Sequence, residues 1–342
     1  MKIQLILKSL ISPVLILCLM PAASANTDYS QRKDVQQFIK EMNKEHGFDS
    51  KLLNTWMSGV EQQKTALEAI ARPAEGELSW GDYRKIFITD SRINKGVKFW
   101  QENEKLLAKA EKKYGVSAEF IVAIIGVETY YGRRAGNYSV LDALTTLGFD
   151  YPLENTTKER RDRREKFFRK ELVQFLLMSR EEKFDPRELK GSYAGAMGMP
   201  QFIPSSFRHY AVDFDGNGVR DFWTGSADSI GSVANYFKEH GWKSGEPVAG
   251  KVAVKEKAQK LGGREMKPKK LVADYKKAGV TLEDKFSDTA LATLLKLDGH
   301  KGDEYWLGLH NFYVITRYNH SPMYAMSVYQ LGQAVSKKYH SN

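Results

Sequence analysis

The chain has 342 residues and a formal net charge of +10 at pH 7, with 42% hydrophobic, 27% charged and 12% aromatic residues. This composition excludes a disordered chain and provides a core for one large or two modest domains. The basic charge suits an anionic partner and does not choose among nucleic acid, a lipid surface and an acidic polymer, although recognised nucleic-acid signatures are absent.

The first 25 residues have the pattern of an export signal. A lysine at position 2 precedes an apolar run, Leu10–Met20, and residues 23–25 form an A-x-A cleavage pattern. The run is shorter than the ~20 residues of a membrane span, which favours a removed signal peptide over an uncleaved anchor. Cys18 follows the bulky Leu17, which is unfavourable for lipidation. Removal of residues 1–25 leaves a mature chain with net charge +8. That chain has no cysteine and cannot form a disulfide.

Helical periodicity dominates the rest of the chain. From Val35 to about Leu67 the apolar residues recur at helical spacing with a break at Gly47, and a second periodic stretch ends at Gly115, a helix stop signal. The next helix is predicted to begin near Ser117. Further helices are predicted at 141–147, 164–182, 225–240 and 322–338; strands are scarce, and the best candidate is 250–254.

One carboxylate stands at the end of an apolar helix, in the stretch IIGVETYYGRR at 124–134. On a helix, Ile124 and Ile125 share a face with Glu128. Desolvation and the negative end of the helix dipole both disfavour the anion, so we predict a raised pKa, which suits a general acid. The alternative is a surface glutamate paired with Arg133 or Arg134.

Two later segments offer polar groups for a pocket. The stretch GSYAGAMGMPQFIPSSF at 191–207 is predicted to be an irregular loop that enters a helix and presents Ser192 and Gln201. Near the end of the chain, Tyr318, Asn319 and Tyr324 are residue types that contact sugars by stacking and hydrogen bonding. The alternatives are a tight connection between helices for the first segment and packing residues with hydrogen-bonded tips for the second.

The segment DFDGNGVRDFWT at 213–224 resembles an EF-hand loop. Side chains with carboxylate or amide oxygens occupy positions 1, 3, 5 and 9, a glycine occupies position 6, and Val219 would offer its backbone carbonyl. Position 12 is Thr224 rather than glutamate, so a lengthened loop would close on Asp228. The pattern favours calcium over magnesium, and an Asx-rich turn that binds nothing is the alternative.

Several motifs occur in order along the chain: VAIIGVETYYG, LDALTTLGFDYP, GSYAGAMGMPQFIPSSF, DFDGNG, IGSVANYFKEHGW and TRYNHSPMYAMSVYQLGQA. Together they resemble the lytic murein transglycosylase B family from about Val35 to Ala334. The resemblance implies a mainly α fold, with a lysozyme-like (α+β) catalytic core, additional helical domains and an EF-hand-like loop. The family acts on peptidoglycan in the periplasm, and its catalytic glutamate falls on Glu128.

The resemblance also implies binding residues. The glycan groove would be lined by Ser192, Gln201, Tyr236, Tyr318, Asn319 and Tyr324. A structural calcium ion would be held by Asp213, Asp215, Asn217, Val219 and Asp228, with no organic cofactor. Three features depart from the family: Cys18 is poorly placed for the lipid anchor that many relatives carry, the stretch 154–166 is longer and more charged, and the calcium loop is one residue longer before Asp228.

The expected organisation has five parts. They are a signal peptide at 1–25, an N-terminal helical region at 26–115, the catalytic core at 116–248, a small lysine-rich subdomain at 249–295 and C-terminal helices at 296–342 that complete the groove. The implied partners are glycan strands and cell-wall synthesis enzymes such as penicillin-binding proteins. Nucleic acid is not an expected partner, and no transmembrane span is expected in the mature chain.

The implied reaction cuts the β-1,4 bond between N-acetylmuramic acid and N-acetylglucosamine without water and leaves a 1,6-anhydro-muramyl end. Most glycosidases need two carboxylates, whereas one good candidate is found here; Asp142 and Asp150 can equally be capping and turn residues. A hydrolytic muramidase, a non-catalytic wall-binding protein and a basic nucleic-acid binder are the competing interpretations.

Overall fold

The computed structural model describes residues 28–71, 78–154, 156–283 and 285–341. The predicted signal peptide and Cys18 lie outside these ranges. The first six helices are α1 Lys33–His46, α2 Ser50–Ser58, α3 Lys64–Ala71, α4 Trp80–Phe87, α5 Asp90–Glu102 and α6 Glu104–Tyr114. Next come α7 Ala118–Thr129, β1 Tyr138–Ser139, α8 Val140–Phe149, α9 Lys158–Glu182, β2 Lys190–Gly191, α10 Pro204–Tyr210 and α11 Ala227–Glu239. The last part contains β3 Ala249–Val254, α12 Glu256–Gln259, β4 Lys270–Leu271, α13 Val272–Ala278, β5 Val280–Leu282, β6 Leu291–Gly299, β7 Gly302–Gly308, α14 His310–Tyr318 and α15 Pro322–His340.

The first predicted helical stretch divides into three helices. The first ends where Gly47 adopts a left-handed conformation, and the second starts at once because the Asp49 side chain accepts a hydrogen bond from the Lys51 N–H. The second periodic stretch is likewise two helices, α5 and α6, separated at Asn103. The break at Gly47 confirms the prediction, whereas the breaks after Ser58 and at Asn103 were not predicted because apolar residues continue on either side of them.

Helix α7 is the centre of the large core. All of its residues from Phe120 to Val127 are buried, as expected of a helix that is hydrophobic on every side. It packs against α5, α6, α11 and α15. It begins after Ser117, as predicted, although the Ser117 side chain makes no capping hydrogen bond. The surrounding helices therefore fix the position of both of its ends.

A five-stranded antiparallel sheet lies between α11 and α14 in the sequence. Its strand order is β4-β6-β7-β3-β5, and β6 and β7 form a hairpin that turns between Gly299 and Gly302. Only β3 lies at the predicted strand; β6 and β7 were not predicted. The expected boundary at 295/296 falls inside β6, so the sheet region continues to Gly308 and the C-terminal helices begin at His310. The sheet has a small core of its own around Val272.

Short pairings join the segment after α7 to the predicted 191–207 loop. Tyr138 pairs with Gly191, and Met197 forms bridges with both Gly191 and Phe202. The loop is irregular up to Ile203 and then enters α10, as predicted. These pairings place the polar residues of the loop beside the end of α7. Within the described ranges, no helix is long and apolar enough to cross a membrane.

Candidate active site

The carboxylate of Glu128 lies in the last turn of α7. Glu128 is half-buried, in contrast to the completely covered residues that precede it. Directly after the helix, Tyr130 and Tyr131 both adopt left-handed backbone conformations, with φ of 54° and 61°. Such conformations are uncommon for residues other than glycine, and they turn the chain sharply away from the helix axis. The turn leaves Glu128 at an accessible end of an otherwise buried helix.

The hydroxyl of Tyr324 donates a hydrogen bond of 2.5 Å to Glu128 Oε1. Tyr324 is buried near the start of α15, where the Ser321 hydroxyl accepts from its backbone N–H and caps the helix. Burial and the neighbouring Glu128 carboxylate raise the pKa of Tyr324 well above its ordinary value. The phenol therefore remains a neutral donor throughout the working pH range.

We expect Tyr324→Phe to lower kcat about tenfold, in line with the loss of a charge-assisted hydrogen bond. Because the bond favours the ionised carboxylate, its loss favours the protonated acid. Activity that requires protonated Glu128 should therefore persist to higher pH in the variant. Tyr329→Phe on the same helix is the control, since the Tyr329 hydroxyl donates to the Ala249 carbonyl instead. An unchanged pH profile in Tyr324→Phe would contradict the assignment.

The surface alternative for Glu128 is not supported. Arg133 and Arg134 form no ion pair with any residue in the described ranges, and the Arg134 guanidinium lies 5.2 Å from the centre of the Tyr130 ring. Asp150 is not a second catalytic carboxylate, because it accepts hydrogen bonds from Tyr29, Arg32 and Gln62 and so attaches the N-terminal helices to the core.

The two polar residues predicted from the irregular loop both have structural hydrogen bonds. Ser192 Oγ accepts from the backbone N–H groups of Ala194 and Ala196. Gln201, at φ 51°, donates from Nε2 to the carbonyls of Ala135 and Gly198, at 3.1 and 2.9 Å. Gln201 therefore connects this loop to the segment that follows α7.

Two tyrosine rings, one from α11 and one from α14, pack together beside the loop. The Tyr318 hydroxyl donates to the Pro200 carbonyl at 2.6 Å, and the Tyr236 hydroxyl donates to the Arg317 carbonyl at the same distance. The two rings lie 4.8 Å apart, and burial raises the pKa of both phenols. Asn319 follows α14 directly and is exposed, as the C-cap residue of that helix.

Thr129 is a residue that the sequence reasoning did not single out. Its hydroxyl donates to the Met199 carbonyl at 2.9 Å and accepts from the Gly132 N–H at 3.0 Å. It therefore fastens the loop to the end of α7, one residue from the catalytic candidate. Its position next to Glu128, in the last turn of the predicted helix, could have indicated this role, because a buried threonine there usually forms a hydrogen bond with the backbone.

The loop that resembles an EF-hand, at 213–224, brings two of its carboxylates together with that of Asp228. Ligand oxygens of Asp213, Asp215 and Asp228 all lie within 4.8 Å of one another. Asp228 is buried and accepts from the N–H groups of Phe214 and Asp221, while Asp213 accepts from three N–H groups of the turn. Burial raises the pKa of Asp228, and the hydrogen bond from Gly218 leads the effects that lower the pKa of Asp213. A divalent cation fits this oxygen-rich donor set.

A family described as the transglycosylase SLT domain matches residues 30–333. The chain belongs to the transglycosylase SLT domain family. It is 44% identical over 318 residues to membrane-bound lytic murein transglycosylase B of Escherichia coli (strain K12), covering 90% of this chain and 84% of that protein. The crystal structure of the catenated lytic transglycosylase SltB1 from Pseudomonas aeruginosa has a TM-score of 0.84 and 49% identity, covering 91% of this chain and 100% of that one. The predicted family and the predicted lysozyme-like fold are confirmed.

Two solved members of this transglycosylase family contain ligands. Escherichia coli Slt35 in complex with calcium has a TM-score of 0.82 and 45% identity, covering 91% of this chain and 95% of that one. SltB3 from Pseudomonas aeruginosa in complex with NAG-anhNAM-pentapeptide has a TM-score of 0.77 and 29% identity, covering 88% of this chain and 78% of that one. Relatives of this chain thus bind calcium and a peptidoglycan fragment.

Proposed function

We propose that this transglycosylase cleaves the β-1,4 bond between N-acetylmuramic acid and N-acetylglucosamine of peptidoglycan and leaves a 1,6-anhydro-muramyl end. The observation that carries the proposal is a single half-buried carboxylate, Glu128, at the end of an apolar helix and hydrogen-bonded to Tyr324. The murein specificity of the Escherichia coli relative supports the substrate. Ser192, Gln201, Tyr236, Tyr318 and Asn319 would line the groove with Tyr324.

One carboxylate is sufficient for this reaction because its two steps require opposite protonation states. Glu128 first gives its proton to the glycosidic oxygen as the bond to C1 breaks, and the N-acetylglucosamine leaves as an alcohol. The positive charge on C1 is stabilised by the 2-acetamido group or the pocket. The Glu128 carboxylate then removes the proton of the muramyl 6-hydroxyl, whose oxygen bonds to C1, and the acid is regenerated.

Mass spectrometry of muropeptides released from purified sacculi tests this function. Anhydro-muramyl ends released by the wild type and absent with Glu128→Gln are the expected result. Reducing ends would identify a hydrolytic muramidase instead, in which water replaces the 6-hydroxyl. Release of nothing by the wild type would favour a wall-binding protein without catalysis.

We further propose that Asp213, Asp215, Asn217, the Val219 carbonyl and Asp228 hold a structural calcium ion. The charge of the ion would offset the repulsion among the three carboxylates.

Saturating calcium, at 100 times its Kd, is expected to stabilise the fold by about 2.7 kcal/mol, measured as a rise in Tm. Asp215→Asn should reduce that rise. Asp221→Asn should retain it, because the Asp221 carboxylate bonds to Trp223 and Thr224 within the loop. A calcium response equal in all three proteins would argue against this ligand set.

We also propose that the chain is exported to the periplasm through the signal at 1–25, where its basic charge favours association with the wall or the outer membrane. Mass spectrometry of the N-terminus of the exported protein would test the cleavage site after Ala25. Wall-synthesis enzymes such as penicillin-binding proteins are the protein partners that this location would allow.

A further inference from the structure

Three cationic side chains surround one aromatic ring beside the catalytic helix. Arg92 and Lys95 project from α5 and Arg134 from the segment after α7, at 5.0, 5.6 and 5.2 Å from the centre of the Tyr130 ring. None of the three forms an ion pair within the described ranges. The positive charge of this cluster is therefore not neutralised by the described part of the chain.

The guanidinium of Arg92 is the unusual member of the cluster. Only 7% of Arg92 is exposed, and its Nε and Nη1 have no hydrogen-bond partner in the described ranges. The group stacks between Phe87 and Tyr130, each at 5.0 Å. Burial lowers the pKa of Arg92, and the charge of Arg134 acts in the same direction. A buried cation without an anion is energetically costly, so an anion bound nearby would stabilise the charge of Arg92.

A pocket of about 400 Å³ opens next to the cluster, lined in part by Ser91, Lys95, Tyr131 and Arg133. One further lysine of the lining, Lys98, is paired with a glutamate on the same helix. Lys95 and Arg133 have no such partner in the described ranges, so the net charge of the pocket is positive. The Ser91 hydroxyl bonds to the Tyr130 hydroxyl at 2.6 Å, which joins the pocket to the cluster.

We propose that this basic pocket binds a carboxylate of the peptide stem on the glycan strand that is being cut. The inference rests on the proposed function. Tyr130 follows Glu128 by two residues at the same end of α7, so an anion here can belong to the strand that lies in the groove. Guanidinium groups present paired N–H donors that match a carboxylate, and an aromatic floor holds them in place.

The test compares kcat/KM on two substrates, glycan strands that carry their peptide stems and the same strands after amidase removal of the stems. The Lys95→Gln/Arg133→Gln variant, which removes two positive charges from the pocket lining, should lose about tenfold in the ratio of the first value to the second, as expected for a lost charge-assisted contact. Lys40→Gln/Lys44→Gln on α1 removes the same charge from an exposed surface and should keep the wild-type ratio. An unchanged ratio in the pocket variant would overturn the proposal.

Arg92→Met separates anion binding from packing. Methionine fills a similar volume between the two rings without a charge, so the variant should have a Tm at least equal to that of the wild type and a reduced substrate ratio. A lower Tm with equal losses on both substrates would make Arg92 a packing residue and overturn the proposal. Binding of phosphatidylglycerol vesicles that is lost in Lys95→Gln/Arg133→Gln, with no change in the ratio, would assign the pocket to lipid instead. A wild type that cuts neither substrate would refute the proposed function itself.

Discussion

Glu128→Gln is expected to lower kcat on peptidoglycan by about 10³-fold or more, with little change in KM. The amide keeps the size of the side chain and can still accept the hydrogen bond from Tyr324. It cannot give a proton to the glycosidic oxygen or take one from the 6-hydroxyl. Proton transfer of this kind contributes about 10²–10⁴-fold, and in the proposed mechanism the same group serves both steps.

Glu119→Gln is the matched control for this substitution. Glu119 lies in the first turn of the same helix, where burial raises its pKa and Gln333 donates to it at 3.2 Å. The control should retain wild-type kcat, and both variants should unfold close to the wild-type Tm. Comparable losses of activity in the two variants would show that the effect comes from the helix rather than from acid–base chemistry.

Gly136→Ala is expected to destabilise the protein by about 3 kcal/mol, from backbone strain and overpacking together, and to reduce activity. Gly136 has φ of 91°, and a Cβ there would lie 2.1 Å from the Gly191 carbonyl oxygen. The colliding atoms are backbone, so no side-chain rotation can relieve the contact. The segment after α7 would be displaced from the loop that carries Ser192 and Gln201. A fall in Tm of about 6 °C is the expected measurement.

Gly302→Ala separates the effect of the steric collision at Gly136 from the effect of backbone strain at a positive φ. Gly302 also has a positive φ, 106°, at the turn between β6 and β7, but a Cβ there would meet nothing within 4 Å. Its substitution should cost only the strain of the backbone, about 1 kcal/mol. If both variants lost the same stability, the close approach at Gly136 would not be the cause.

The helical core could be predicted because its signals are local. Uninterrupted apolar residues before Glu128 predict a buried helix, and Pro204, at the start of α10, lies within the motif that predicts an irregular loop entering a helix. The hairpin β6–β7 could not be predicted in the same way. Its first strand, LATLLKLDG, is rich in leucine and contains alanine, both good helix formers, and pairing with distant strands overrides that preference.

The site was predictable in its residue types and less so in its contacts. Six side chains were inferred to face the glycan, yet Ser192, Gln201, Tyr236 and Tyr318 use polar atoms to hold the loops in place. The left-handed backbone at Tyr130 and Tyr131 also has no sequence signal, because such conformations are typical of glycine. The hydrogen bonds of Thr129 and the tertiary packing around it hold the backbone in that turn.

The hydrogen bond between Tyr324 and Glu128 joins points that are 196 residues apart in the chain. Between them lie α8 to α11, the whole sheet and α14, so the acid and its donor cannot meet through local folding. Contacts across such long loops form late, after the closure entropy has been paid. A chain that folds from its N-terminus therefore contains no acid–donor pair until α15 has docked on α7. The acid–donor pair is therefore complete only at the end of folding, and a copy in which α15 has not docked lacks this hydrogen bond to Glu128.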